Sequence, residues 1–310
     1  MWSRTTDLSL IRIAKPNCKT IPRKNPREYI ELWYDEQKLK GIGGTTIYSY
    51  RQKIEALLGE YPKPAEFDIK HYLARKQELG ACSGTIANYI KAYRVFFRFL
   101  YERGLYDFDP HCLKLPKIRY KERRVPSDED VAKLLDAVNG EEDKVALLLL
   151  IDTGIRVTEL ATIKLKNINL GGASILINGK GDKTRLVYLS ESTIEHLRAY
   201  VQTLSGEYLF PSTRADSNLN HRSRHCFRNR LYELCKRAEI EHISPHQLRH
   251  YFATYTLSHG GDVKAASELL GHADVGITLK IYHHVSSKAI REMHVEHSPL
   301  RKLEAVGALA

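Results

Sequence analysis

The chain has 310 residues, more than one hydrophobic core usually serves, so two domains are expected. With 43% hydrophobic and 27% charged residues it reads as globular rather than disordered or fibrous, and no apolar run is long enough to suggest a membrane span. The net charge of +11 lies wholly in residues 1–126, which hold 25 Lys/Arg against 14 Asp/Glu, while residues 127–310 hold 23 of each; such a surplus implies a polyanionic partner, nucleic acid ahead of an anionic membrane.

Residues 1–25 form an N-terminal extension without the apolar core or cleavage site of a signal peptide. Five scattered cysteines (Cys18, Cys82, Cys112, Cys226, Cys235) contain no CxxC pair. They suit reduced, mostly buried thiols in a cytoplasmic protein better than a disulfide frame or a zinc site. Residues 26–108 read as a helical domain. Its last helix sets Ile86, Tyr89, Ile90, Tyr93, Phe96, Phe97, Leu100 and Tyr101 at three- and four-residue steps, which is a core face, with Ser83 as N-cap and Gly104 as stop. The other face carries Lys91, Arg94, Arg98 and Arg103, either for phosphates or for solvent. Residues 109–126, with three prolines and six Lys/Arg, read as a basic linker.

A second domain is expected over 127–286. SDED at Ser127 offers a capping box, and KVALLLLIDTG a buried helix ended by Gly154. A hairpin follows (ASILI, the turn NGKGDKT, RLVYL), then helices near 191–203, 221–239, 244–259 and 262–270. The fold class is therefore mainly α: a helical N-terminal domain, then a mostly helical domain with a small antiparallel β-sheet.

Four short segments carry chemistry. In SPHQLRH, Ser244, Pro245 and Gln247 make a capped helix start, which places His246 and Arg249 three apart at an anion-friendly helix end. In TGIRVTEL, Arg156 follows a glycine-ended helix, and Glu159 can steady its guanidinium; a second arginine gives a bidentate grip on phosphate. In NGKGDKTR, Lys180 stands between Gly179 and Gly181 at the hairpin tip, where it is either a general acid or an ordinary turn residue. In LLGHADVGITLKIYHH, Gly271 stops a helix before His272, and Tyr282 follows ten residues later. The histidines lack HExxH or carboxylate spacing, so no metal is expected, and no GxxxxGK[ST] loop signals a nucleotide cofactor.

TGxRxxEL, GKGxKxR, HxLRH and LLGH…Y in this order resemble the tyrosine recombinases and phage integrases, and within them the Xer-type enzymes. The resemblance covers most of residues 26–286 and makes the helical domain over 26–108 a DNA-binding one. It implies that Arg156 and Arg249 grip the scissile phosphate, Lys180 protonates the leaving 5′-oxygen, His246 and His272 bind phosphate and handle protons, Tyr282 is the nucleophile, and Glu159 supports the first arginine. The implied activity is site-specific DNA recombination through a 3′-phosphotyrosine, without metal, ATP or other cofactor, by a homo-tetramer on double-stranded DNA. Residues 287–310 would then form a tail whose Ala289, Ile290 and Met293 dock on a neighbouring subunit or fold back in cis. The interval of ten between His272 and Tyr282 departs from the nine usual in Xer-type enzymes and looks like that of mobile-element integrases. Chromosome-dimer resolution, mobile-element integration and excision, and inversion thus all stay open. A type IB topoisomerase, a non-catalytic DNA-binding module and a metal-dependent nuclease are the rival readings.

Overall fold

The computed structural model describes residues 25–117, 124–179, 183–212 and 220–271. Lys180, His272, Tyr282 and the tail 287–310 lie outside the described residues. The chain divides into two compact units, Met1–Lys121 and Glu122–Ala310. No helix among the described residues is long and apolar enough to cross a membrane.

In the first unit, four helices gather an aromatic core: α1 (Ile30–Leu39), α2 (Gly44–Glu60), α3 (Glu66–Glu78) and α4 (Ser83–Glu102). The stripe on α4 explains why it is central. Tyr93, Phe96, Phe97 and Leu100 are all fully buried, and Trp33 of α1 meets Phe96 edge-on at 5.7 Å. Tyr106, just beyond α4, donates its hydroxyl to the Pro64 carbonyl at 3.0 Å. One local expectation needs correction. Cys82, rather than Ser83, is the N-cap of α4, and Ser83 is its first helical residue. On the polar face Arg103 bonds Glu36 and lies over the Phe99 ring at 4.2 Å, so that guanidinium is already engaged within the unit.

The second unit opens with α5 (Asp128–Asp136), where Ser127 accepts from the Asp130 N–H at 3.1 Å. The expected reciprocal half of that capping box is replaced, because the Asp130 carboxylate takes the Arg124 guanidinium at 2.7 Å. Next comes α6 (Glu141–Thr153), apolar on nearly every side and therefore sunk in the core between α8 (Glu191–Gln202) and α10 (Pro245–Ser258). Gly154 ends it in the left-handed region (φ +60°), where an added Cβ would lie 2.5 Å from the Phe252 ring. A short α7 (Val157–Ala161) leads into a three-stranded antiparallel sheet, β1 (Ile168–Asn169), β2 (Ser174–Asn178) and β3 (Thr184–Tyr188), in that order. The hairpin β2–β3 pairs Ile175 with Val187 facing the core and Leu176 with Leu186 facing out. β1 is an addition to the expected hairpin. Helices α9 (Arg224–Arg237) and α11 (Val263–Leu270) complete the unit.

The thiols correct another expectation. Of the four described cysteines only Cys235 is buried; Cys82 is exposed and Cys112 and Cys226 are half-buried, because Cys82 is a helix cap and Cys226 sits in the first turn of α9.

Candidate active site

The helix start at Ser244 is built as its sequence requires. Ser244 Oγ accepts from the Gln247 N–H at 3.3 Å, and Gln247 Oε1 accepts from the Ser244 N–H at 2.9 Å. With Pro245 at the first position, this fixes the first turn of α10, leaves His246 exposed and turns Arg249 inward to 5% exposure. Arg249 then donates to the Gly154 carbonyl at 2.8 Å and to the Leu270 carbonyl at 2.7 Å. A guanidinium has five donors, so these two bonds leave others for an anion.

Arg156 occupies the turn between α6 and α7. Its backbone N–H donates to Glu159 Oε2 at 2.9 Å and its guanidinium to Glu159 Oε1 at 2.8 Å and to the Gly271 carbonyl at 3.1 Å. Glu159, 6% exposed, thus steadies Arg156 as the sequence suggested, but it has a second partner. Arg185 of β3 grips the same carboxylate with both nitrogens (3.1 and 2.8 Å) and donates Nε to the Leu269 carbonyl at 2.7 Å. Leu269, Leu270 and Gly271, the end of α11, therefore each give their carbonyl to a different arginine. A helix C-terminus leaves such carbonyls without intrahelical donors and carries partial negative charge, so cations satisfy both needs.

Three guanidinium charges face one carboxylate here. Burial, then the charges of Arg156 and Arg185, push the Arg249 guanidinium down to about 9. Burial alone would raise the Glu159 carboxyl, yet the hydrogen bond and charge of Arg185 and the Arg156 N–H hold it below its ordinary value. The excess positive charge opens onto a cavity of about 500 Å³ whose walls include Arg156, Thr158, Arg228, His242, His246 and Arg249. Of the expected site residues, the structure brings together Arg156, His246 and Arg249 with Glu159. The described neighbours of the others are Gly179, whose N–H bonds the Lys183 carbonyl at 2.7 Å across the hairpin mouth, and Gly271, the left-handed cap (φ +64°) that precedes His272.

Arg228, Thr158 and His242 were not singled out in the sequence, and Arg185 stood there only as the last residue of GKGxKxR, without a role. For Arg185 a signal existed: it lies two residues from Val187 on the core face of β3, where a lone arginine needs a buried partner.

Comparison with known proteins shows which family the chain belongs to. Residues 124–289 match the phage integrase family. The chain is 34% identical over 306 residues to tyrosine recombinase XerD of Rhizobium meliloti, with 88% of this chain and 96% of that protein aligned. Against XerD of Yersinia pestis identity is 32%, over 86% and 94% of the two chains. The chain belongs to the phage integrase family. It is a tyrosine recombinase, an enzyme that cleaves and rejoins DNA at specific sites through a 3′-phosphotyrosine. The crystal structure of XerA recombinase superposes with a TM-score of 0.51 at 28% identity, covering 88% of this chain and 99% of that one. The fold is also that of the Tn1549 transposon integrase in complex with circular intermediate DNA (TM-score 0.69, 17% identity, 86% of this chain and 99% of that one). The mainly helical recombinase architecture with its small antiparallel sheet is thus established for this chain.

Proposed function

We propose that this recombinase cuts DNA with Tyr282 in a site assembled from Arg156, Lys180, His246, Arg249 and His272. The observation that carries the reading is the pair of half-exposed Arg156 and buried Arg249, held by Glu159 and by the carbonyls of Gly154, Leu270 and Gly271, and facing the cavity with surplus positive charge. In-line attack on a phosphodiester concentrates charge on its non-bridging oxygens, and preorganised guanidinium donors stabilise that charge. The Tyr282 oxygen attacks the scissile phosphorus, its proton passing to a histidine of the site. The bond from phosphorus to the 5′-oxygen breaks as the Lys180 ammonium gives that oxygen a proton. A 5′-hydroxyl from a second duplex then attacks the phosphotyrosine, restoring a phosphodiester and releasing Tyr282.

The same reading divides the labour along the chain. Residues 26–108 bind duplex DNA, 109–126 tether them, 127–286 carry the chemistry, and 287–310 dock on a neighbouring subunit. Four copies would act together on a specific recombination site. The Tn1549 integrase bound to circular intermediate DNA and a lambda integrase tetramer bound to a Holliday junction support this arrangement. Covalent capture on a library of nicked duplexes, with EDTA present, tests the reading. Wild type should form SDS-resistant adducts enriched in one near-palindromic core, and Tyr282→Phe should form none. Adducts from Tyr282→Phe would remove Tyr282 from its role, and adducts spread over unrelated sequences would remove the site specificity.

A further inference from the structure

One side chain lies between three of the four segments that carry chemistry, although it faces no substrate. Arg185 leaves β3 with its side chain 13% exposed and forks onto both oxygens of Glu159, the residue that holds Arg156. Its Nε bonds the Leu269 carbonyl, and its guanidinium lies so close beneath Gly271 that an added Cβ there would meet Arg185 Nη1 at 2.9 Å and Cζ at 3.0 Å. An added Cβ on Gly179, next to Lys180, would lie 3.8 Å from the same Nη1. The bonds reach the segment of Arg156 and the residues just before His272, and the guanidinium lies near the hairpin residue just before Lys180.

We infer that Arg185 is a positioning residue that sets the register between the Glu159–Arg156 pair, the hairpin at Gly179 and the end of α11 at Leu269–Gly271. The inference rests on the reading of Tyr282 and Lys180 given above. It follows from shape as well as charge. A planar fork bonds a carboxylate at two points while a third N–H, on the other edge, bonds a carbonyl; a lysine ammonium at the end of a flexible stem cannot fix all three at once. Arg185 also removes part of the desolvation penalty on Glu159, so Arg156 keeps its partner in ionised form. Misplacing reacting groups by about 1 Å slows a reaction on the order of 100-fold while leaving distributed binding contacts in place.

The test compares Arg185→Lys and Arg185→Gln with wild type and Tyr282→Phe, in the full-length protein, on a nicked duplex of the core sequence recovered by covalent capture. Single-turnover adduct formation is timed at saturating protein. Affinity for the same duplex is measured with each change placed in the Tyr282→Phe background, and thermal midpoints are recorded. Both variants should form adduct at least about 30-fold more slowly, with affinity changed less than about threefold and a cooperative thermal transition retained. A rate within about threefold of wild type at saturation overturns the inference. So does a loss of affinity as large as the loss of rate, or loss of the folded state in both variants, since either assigns Arg185 to the fold alone. If wild type itself forms no adduct, the reading of Tyr282 fails and the inference falls with it.

Discussion

Glu159 is the residue on which the site's charge balance turns, because it is the carboxylate shared by Arg156 and Arg185. Replacing it by glutamine leaves two guanidinium groups facing a neutral amide, and breaking a buried ion pair in this way costs about 3 kcal/mol. The Glu159→Gln protein should therefore show a lower denaturation midpoint at neutral pH than wild type. Its response to acid follows from the sign of the shift. The folded-state carboxyl titrates below its ordinary 4.5, so its contribution is complete above that pH and is lost as pH falls through the folded-state value. Wild type should lose stability in that acid window and Glu159→Gln should lose less; parallel curves for the two proteins would show that Glu159 does not carry the shift. Half of this arrangement was legible in the sequence, since Arg156 and Glu159 are three residues apart at a helix start. The other half was not. Arg185 is 26 residues from Glu159 and 84 from Leu269, and no local pattern reports which distant carbonyls an arginine will reach.

Among the elements, α10 is the one whose start positions the cavity-lining His246 and Arg249, and its start was fully readable because every bond in it is local: Ser244, Pro245 and Gln247 act within one turn. Ser244→Ala removes the oxygen that accepts from the Gln247 N–H and should destabilise the protein by about 1 kcal/mol, a shift of about 2–4 °C in thermal midpoint for a domain of this size. An unchanged midpoint would mean that Pro245 and Gln247 fix the turn without it. The elements that escaped the sequence did so for physical reasons. β1 has two residues, too few for an alternating pattern to register, and exists because Ile168 and Asn169 pair with Ile175 and Ser174. The cap of α4 shifted by one residue because Cys82 supplies the extended backbone of an N-cap while its sulfur, 3.3 Å from Thr85 Oγ1, bonds a side chain rather than a helix N–H. The aromatic stripe of α4, by contrast, runs five turns and leaves no ambiguity about which face is buried.

At the scale of the whole molecule, the surplus charge and the arginine cluster reside in different stretches: residues 1–126 hold the excess of Lys/Arg, while the second unit, close to neutral, holds Arg156, Arg185 and Arg249 around Glu159. Each unit has its own core, and among the described residues that of the first is drawn from those between Tyr29 and Leu113. A fragment of residues 25–117 should accordingly be helical and unfold cooperatively by itself; a fragment with no thermal transition would show that its core depends on the rest of the chain. The last turn of α11 has a different standing. Its final carbonyls are satisfied by side chains from β3, α10 and the turn before α7, contributed from 84, 21 and 115 residues away. Such a helix end has little reason to persist before those segments arrive, so it is a late and collective product of folding. A chain that stalls part-way would hold much of its secondary structure and still possess no phosphate grip, which makes strand-cutting competence a property that appears only once the catalytic unit is complete.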